Sequence, residues 1–231
     1  MTISDKIKKI LKLLSKAYGR PKALEKDDPV DVLIRTVLSQ NTTDKNSLKA
    51  FAELKAAFKS WDKVLAADTR KIAGVIRHAG LANIKARRIK GILAEIKRRE
   101  DRITLSFLNI FTAKDGLEYL ESLKGVGPKT AACVLLFSFG KSVMPVDTHI
   151  FRVTKRLGLI GEDTGIEEAH EFLTKIVPKH LIYEFHLGII EHGRRTCRAQ
   201  TPRCGVCCIY GLCRFEKKRF FKKRQSDDTK S

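Results

Sequence analysis

The 231-residue sequence contains no apolar run as long as a membrane-spanning helix requires and no lipidation signature at either end, so the expectation is a soluble protein. It also lacks any sustained alternation of apolar and polar residues, and nothing repeats at a fixed period, which sets aside sheet architectures and solenoids. An export signal is missing as well. The opening MTISDKIKKILKLL places Ile7, Ile10, Leu11 and Leu14 at helical spacing with lysines between them, which predicts an amphipathic helix instead. Without export, the six cysteines belong to a reducing compartment, where clustered thiols bind metal more often than they pair as disulfides. Acidic residues are in deficit: 26 Asp and Glu stand against 46 Lys and Arg, a formal charge of +20.

That surplus exceeds what solubility requires and calls for a polyanionic partner; nucleic acid fits a chain without a membrane segment. A hydrophobic content of 43% is ample for a packed core. Apolar residues recur at three- and four-residue spacing, as in Ile72, Val75 and Ile76 and in Ile89, Ile92, Leu93 and Ile96, so the predicted fold is all-α. Breaks at Pro21, Pro29, Gly80, residues 124–128, Gly140, residues 158–165 and Pro178 imply short connections. From Arg214 to Arg224 the chain is basic with Phe215, Phe220 and Phe221 interleaved, a tail either solvated or laid on nucleic acid. Compact length, no targeting extension and a Lys/Arg-rich surface point to a prokaryotic, nucleoid-associated protein of the cytoplasm.

Four cysteines, Cys197, Cys204, Cys207 and Cys213, stand in the order C-x6-C-x2-C-x5-C, enough thiolates in one short stretch to enclose a metal centre. Soft sulfur ligands restrict that centre to zinc or an iron–sulfur cluster, because calcium, magnesium and manganese prefer oxygen. Cys208 is spare. Cys133, among Ala131, Val134 and Leu135, reads as a small buried apolar residue.

Residues 116–123 read as a short helix, Lys124-Gly125-Val126-Gly127 as a tight turn, and Pro128 to Phe139 as a second helix with proline at its first position. This is a helix-hairpin-helix pattern, in which the glycines let backbone approach a ligand and the next helix's N-terminal amides suit a phosphate. Lys129 opens the second helix, either as a phosphate-binding cation or as an amine nucleophile. Since a free lysine is neutral only about once in a few thousand molecules at pH 7, the second role needs a depressed pKa or a nearby base, and a helix N-terminus disfavours the ammonium form. Asp147, ahead of Thr148-His149-Ile150-Phe151-Arg152-Val153, is either a helix N-cap or a carboxylate that takes up a proton or balances positive charge on a sugar.

Three motifs, Leu123–Ala131 (LKGVGPKTA), Val146–Val153 (VDTHIFRV) and the four-cysteine loop of residues 197–213, together resemble the endonuclease III group of helix-hairpin-helix DNA glycosylases, in that family's order and at suitable separations. The resemblance runs from about residue 30 onward. It implies that Lys129 is the nucleophile that attacks the anomeric carbon of a damaged nucleoside and forms a Schiff base, with β-elimination then nicking the strand 3′ to the lesion. It implies that Asp147 is the catalytic aspartate and that Cys197, Cys204, Cys207 and Cys213 hold a [4Fe–4S] cluster, with zinc second. It further implies a discontinuous two-lobed architecture with DNA in the cleft between lobes and Lys129 facing Asp147 across it. A six-helix barrel lobe would span residues 30–136, with the hairpin at about 116–139, and a cluster lobe would combine residues 1–29 and 137–213 ahead of the basic tail, 214–231.

Family members flip the damaged nucleotide out of the duplex and fill the hole with wedge residues. Leu38-Ser39-Gln40-Asn41-Thr42-Thr43-Asp44 resembles the family's Leu-Ser-x-Gln-x-Thr-Asp loop, with Asn41 at the usual glutamine position and Gln40 one place earlier. Leu81 matches the second, apolar wedge. Gly125, Val126, Gly127 and Thr130 of the hairpin are expected at the DNA, and Glu121 matches an acidic position near the pocket. Two basic sets, Lys85, Arg87, Arg88 and Lys90 and then Arg194, Arg195, Arg198 and Arg203, are expected to supply sequence-independent phosphate affinity. His149 and His192 read as helix supports. The expected activity is a monomeric bifunctional glycosylase and abasic-site lyase for oxidised pyrimidines in double-stranded DNA. The alternatives are a monofunctional glycosylase for adenine in mismatches or for thymine or uracil opposite guanine, whose members generally lack this lysine, and a non-catalytic DNA-binding protein.

Overall fold

The computed structural model of the chain describes residues 1–228, with side chains as far as Arg224. It is helical throughout, and no β-strand occurs among the described residues. Two compact units form, one from residues 25–141 and one from residues 1–24 together with 142 onward. The first helix, α1 (Ile3–Tyr18), starts at Thr2, whose hydroxyl accepts from the Asp5 amide, and buries the expected stripe of Ile7, Ile10, Leu11 and Leu14.

The unit of residues 25–141 carries α2 (Pro29–Ser39), α3 (Asp44–Phe58), α4 (Trp61–Ala66), α5 (Thr69–Val75), α6 (Ala82–Glu100), α7 (Ala113–Glu121) and α8 (Pro128–Phe139). Five of these helices start at Asp28, Thr43, Ser60, Asp68 and Thr112, each accepting a first-turn amide with its side chain. The centre of the unit is α2 packed on α8. Val30, Val32, Leu33, Ile34, Val37 and Leu38 leave α2 almost wholly apolar, as a helix enclosed by others must be. Its partner α8 is likewise enclosed, burying Ala131, Ala132, Val134, Leu135 and Leu136 around its circumference. Each large side chain buried there contributes roughly 2 kcal/mol, against under about 1 kcal/mol for a surface ion pair, so this contact dominates the unit. Gly116 allows α7 to lie close on α8, since a Cβ there would stand 2.9 Å from Leu135 Cδ2.

The other unit adds α9 (Thr148–Leu157), α10 (Ile166–Ile176), α11 (Ile182–Arg195) and α12 (Lys218–Asp228) to α1. Here α11 packs on both α1 and α9, while α12 lies against the 3-10 turn Cys204–Val206. The segment expected as a basic tail is therefore partly helix: Phe215 and Phe221 stack at 6.2 Å, and Lys218 donates to the carbonyls of Cys213 and Tyr210. Residues 229–231 of that tail lie outside the described residues. No helix among the described residues is long and apolar enough to cross a membrane.

Candidate functional site

The hairpin between α7 and α8 closes when the Val126 amide donates to Leu123 O at 2.9 Å, with Gly125 at φ +94°, a left-handed backbone that only glycine adopts cheaply. Gly127 caps α8 in extended conformation, its carbonyl accepting from Thr130 and Ala131, and Pro128 takes the first helical position. Val126 and Thr130, expected at the DNA, are 5% and 3% exposed and spend their amides on Leu123 O and Gly127 O. Their role is to shape the turn. Gly127 and Lys129, whose amides have no acceptor among the described residues, are the outward groups of the hairpin. The Lys129 side chain is half-buried and makes no hydrogen bond or ion pair among the described residues.

Two further loops of the same unit carry the expected wedge residues. Gln40 ends α2 and is half-buried, whereas Asn41 is exposed with φ 52°. Leu81, between the 3-10 turn Arg77–Ala79 and α6, is 54% exposed with φ 49°. A leucine that is both solvated and left-handed costs on the order of 1 kcal/mol in backbone strain besides its wasted apolar area, a combination that packing within the unit does not account for. The first basic set does not line a groove as expected. Lys85 is 2% exposed and donates to Leu38 O and Ala79 O, Lys90 donates to Ala67 O, and Arg88 binds Gln40, leaving Arg87 as the exposed member. Lys85 is engaged because its stem lies on the face of α6 that also buries Ala86, Ile89 and Ile92.

Asp147 belongs to the other unit, where both sequence readings meet in one residue. Its Oδ1 accepts the Ile150 amide at 2.8 Å and caps α9, while the carboxylate remains half-exposed. Its neighbour His149 contacts Arg152 at 3.1 Å, and burial pulls the imidazole below its ordinary pKa despite the nearby carboxylate.

Cys197, Cys204, Cys207 and Cys213 line a single cavity with Arg156, His192, Tyr210, Phe215 and Lys218, and all four are free thiols. Among the described residues no group of three or more His, Cys, Asp or Glu side chains is placed to hold a metal ion as the side chains stand. Burial pushes the Cys207 thiol up to about 12, and the neighbouring Cys208, Cys197 and Cys213 reinforce the rise; Cys204 and Cys213 are raised chiefly by burial as well. A thiol set held this far from ionisation becomes a good ligand set only with a cationic centre in place. Arg156 and Arg152 of α9 anchor the start of the loop: Arg156 reaches Cys197 Sγ and the carbonyls of Arg198 and Ala199, and Arg152 Nε donates to Cys197 O at 3.0 Å. Tyr18 closes the back of the loop, bonding His192 at 2.9 Å, Thr196 at 2.8 Å and the spare Cys208. Arg152 and Arg156 are legible in the sequence as a basic i,i+4 pair, which sets both on one face of the helix that Asp147 caps.

Comparison with known proteins places these features in a wider set. The description HhH-GPD superfamily base excision DNA repair protein fits residues 34–179. A DNA glycosylase homologue of Arabidopsis thaliana is 38% identical over 170 residues, 74% of this chain, which spans only 58% of the plant protein. Endonuclease III of Sulfolobus acidocaldarius is 36% identical over 186 residues, covering 79% of this chain and 80% of that protein. The solved structure of a trapped endonuclease III–DNA covalent intermediate, an estranged-adenine complex, superimposes with TM-score 0.79 at 31% identity over 95% of this chain and all of the other.

Proposed function

The chain belongs to the endonuclease III group of the HhH-GPD base excision DNA repair proteins, bifunctional DNA glycosylases and abasic-site lyases, and from that premise we propose that Lys129 is its nucleophile, Asp147 its carboxylate and oxidised pyrimidines such as thymine glycol its substrates. One observation carries the assignment: Lys129 is a half-buried lysine without a partner, at a helix start where its own amide and that of Gly127 are unspent. Those amides bind a phosphate of the DNA and bring the amine to the sugar. The Nζ lone pair forms a bond to C1′ as the glycosidic bond breaks, and the base leaves with the electrons of the glycosidic bond and takes up a proton from water. Ring opening gives the Schiff base; loss of a C2′ proton then expels the 3′ oxygen as the phosphate leaving group. Asp147 accepts the proton released by the amine and offsets the positive charge that builds on the sugar.

The unit of residues 25–141 serves as the barrel lobe, with Asn41 and Leu81 meeting the opened duplex, and the other unit serves as the cluster lobe. Cys197, Cys204, Cys207 and Cys213 hold a [4Fe–4S] cluster. Four thiols lining one cavity fit an iron–sulfur cluster by their soft donors, and the likeness to endonuclease III supports that group over zinc. When bound, a cluster cross-links residues 197–213 through four iron–sulfur bonds. Cys204→Ser should lose the brown absorbance and most of the iron; full iron content in that variant would remove Cys204 from the ligand set.

Borohydride trapping on a duplex with one thymine glycol tests the chemistry, since reduction freezes a Schiff base as a covalent adduct. Wild type should be trapped and Lys129→Ala should not. Trapping on an abasic duplex alone would shift the base specificity, and no trapping on either substrate would refute the lyase.

A further inference from the structure

Lys85 is among the most completely buried side chains of the protein, yet it takes no carboxylate partner among the described residues. Taking a lone ammonium out of water costs several kcal/mol, which its surroundings must return locally. They do so through two carbonyls, Leu38 O at 2.8 Å and Ala79 O at 2.7 Å. The first is an orphan acceptor in the last turn of α2, and the second closes the 3-10 turn Arg77–Ala79. Two residues beyond Leu38 stands Gln40, followed by Asn41; two residues beyond Ala79 stands Leu81. Asn41 and Leu81 both hold left-handed backbone, which persists only where the surroundings over-determine it. Burial and the nearby Arg88 lower the pKa of Lys85, the mark of a charge held against its preference.

Arg88 lies one turn further along the same face of α6. Its Nη1 donates to Gln40 Oε1 at 2.5 Å, and its stem runs so close under Gly125 that a Cβ there would stand 2.9 Å from Arg88 Cδ. The opening of α6 thus touches all three segments that the function assigns to DNA: the Gln40–Asn41 loop, the Leu81 loop and the hairpin turn.

We infer that Lys85 and Arg88 form a clamp that positions the strand-opening loops, and that Gln40 is the clamp's anchor, leaving Asn41 as the residue that fills the space vacated by the flipped nucleotide. The inference rests on the wedge reading of these loops. Gln40 cannot serve both purposes: its carboxamide oxygen is committed to Arg88, while Asn41 is exposed and free of that bond. Lys85 and Arg88 act through the loops and are positioning residues.

A charge-conserving exchange separates anchor from filler. Glutamate at position 40 keeps an acceptor for Arg88 but would set a carboxylate against DNA if residue 40 entered the duplex. With the full chain, single-turnover excision on a thymine glycol duplex and the fluorescence of 2-aminopurine opposite a tetrahydrofuran abasic analogue should read as follows. Gln40→Glu stays within about threefold of wild type in both, whereas Gln40→Ala, Arg88→Met and Asn41→Asp each excise about tenfold more slowly, tenfold being about 1.4 kcal/mol in the barrier. Arg88→Met combined with Gln40→Ala should be no slower than either alone, because the two remove one interaction. Affinity for undamaged duplex should change less than twofold in Gln40→Ala, a readout that general unfolding would not spare. Gln40→Glu as slow as Asn41→Asp, or additive losses in the double variant, would overturn the anchor. If wild-type protein leaves 2-aminopurine fluorescence unchanged, the wedge reading itself falls and the clamp with it.

Discussion

Arg156 Nη1 donates toward Cys197 Sγ at 3.3 Å while the same guanidinium donates to Arg198 O at 2.7 Å and Ala199 O at 2.8 Å, and its plane covers the Phe215 ring at 4.4 Å. One side chain of α9 therefore fastens the first cysteine of the loop and the segment that follows. Arg156→Met should lower stability by about 2 kcal/mol, or about 4–8 °C in melting temperature for a chain of this size, with reduced iron per protein. Arg156→Lys should fall between, since a lysine keeps the charge without the planar fork. A Met variant that melts with wild type would deny Arg156 this role.

Asp147 both caps α9 and is assigned chemistry, and two substitutions pull the functions apart. Asparagine caps as well as aspartate, so Asp147→Asn should keep the melting temperature, while Asp147→Ala should lose about 1 kcal/mol. Excision should collapse in both. Activity that tracked the cap, surviving in the asparagine variant and failing in the alanine one, would assign Asp147 to structure alone.

Glu95 accepts from Arg98 and Arg99, whose hydrogen bonds bring its pKa down to about 2. The fold favours the carboxylate, so between pH 4.5 and 2 the unfolded chain binds the proton that the folded one refuses, and stability falls as pH drops through that window. Above pH 4.5 the contribution is complete. A carboxyl-carbon NMR titration of Glu95 should give a midpoint near 2; a midpoint near 4.5 would show that solvent screens the pairing.

Ser138, in α8, holds the one buried side-chain oxygen among the described residues without a hydrogen-bond partner. Removing that hydroxyl relieves a desolvation cost and improves helix propensity, so Ser138→Ala should stabilise by about 1 kcal/mol and raise the melting temperature by about 2–4 °C. Denaturant unfolding checks it, and a destabilised variant would mean the hydroxyl has a partner.

What the sequence determined by itself was whatever depends on residues a few places apart. The α1 stripe Ile7, Ile10, Leu11 and Leu14 followed from helical periodicity, the α7–α8 hairpin from two glycines and a proline, the cap at Asp147 from its place before an apolar helix, and the thiol set from its spacing. What the tertiary structure decided was which polar side chains those elements bury. Lys85 reads as a surface cation because lysine is almost never fully buried, yet it spans 47 residues to reach Leu38 O. Arg88 finds Gln40 across 48 residues and Arg156 finds Cys197 across 41, distances over which no periodic signal extends. Val126 and Thr130 likewise turn inward because the hairpin must close its own amides before it can offer any to a phosphate. Local backbone preference and apolar spacing are written in the chain; the partner of a buried charge is fixed only when packed helices bring two distant carbonyls to the same ammonium.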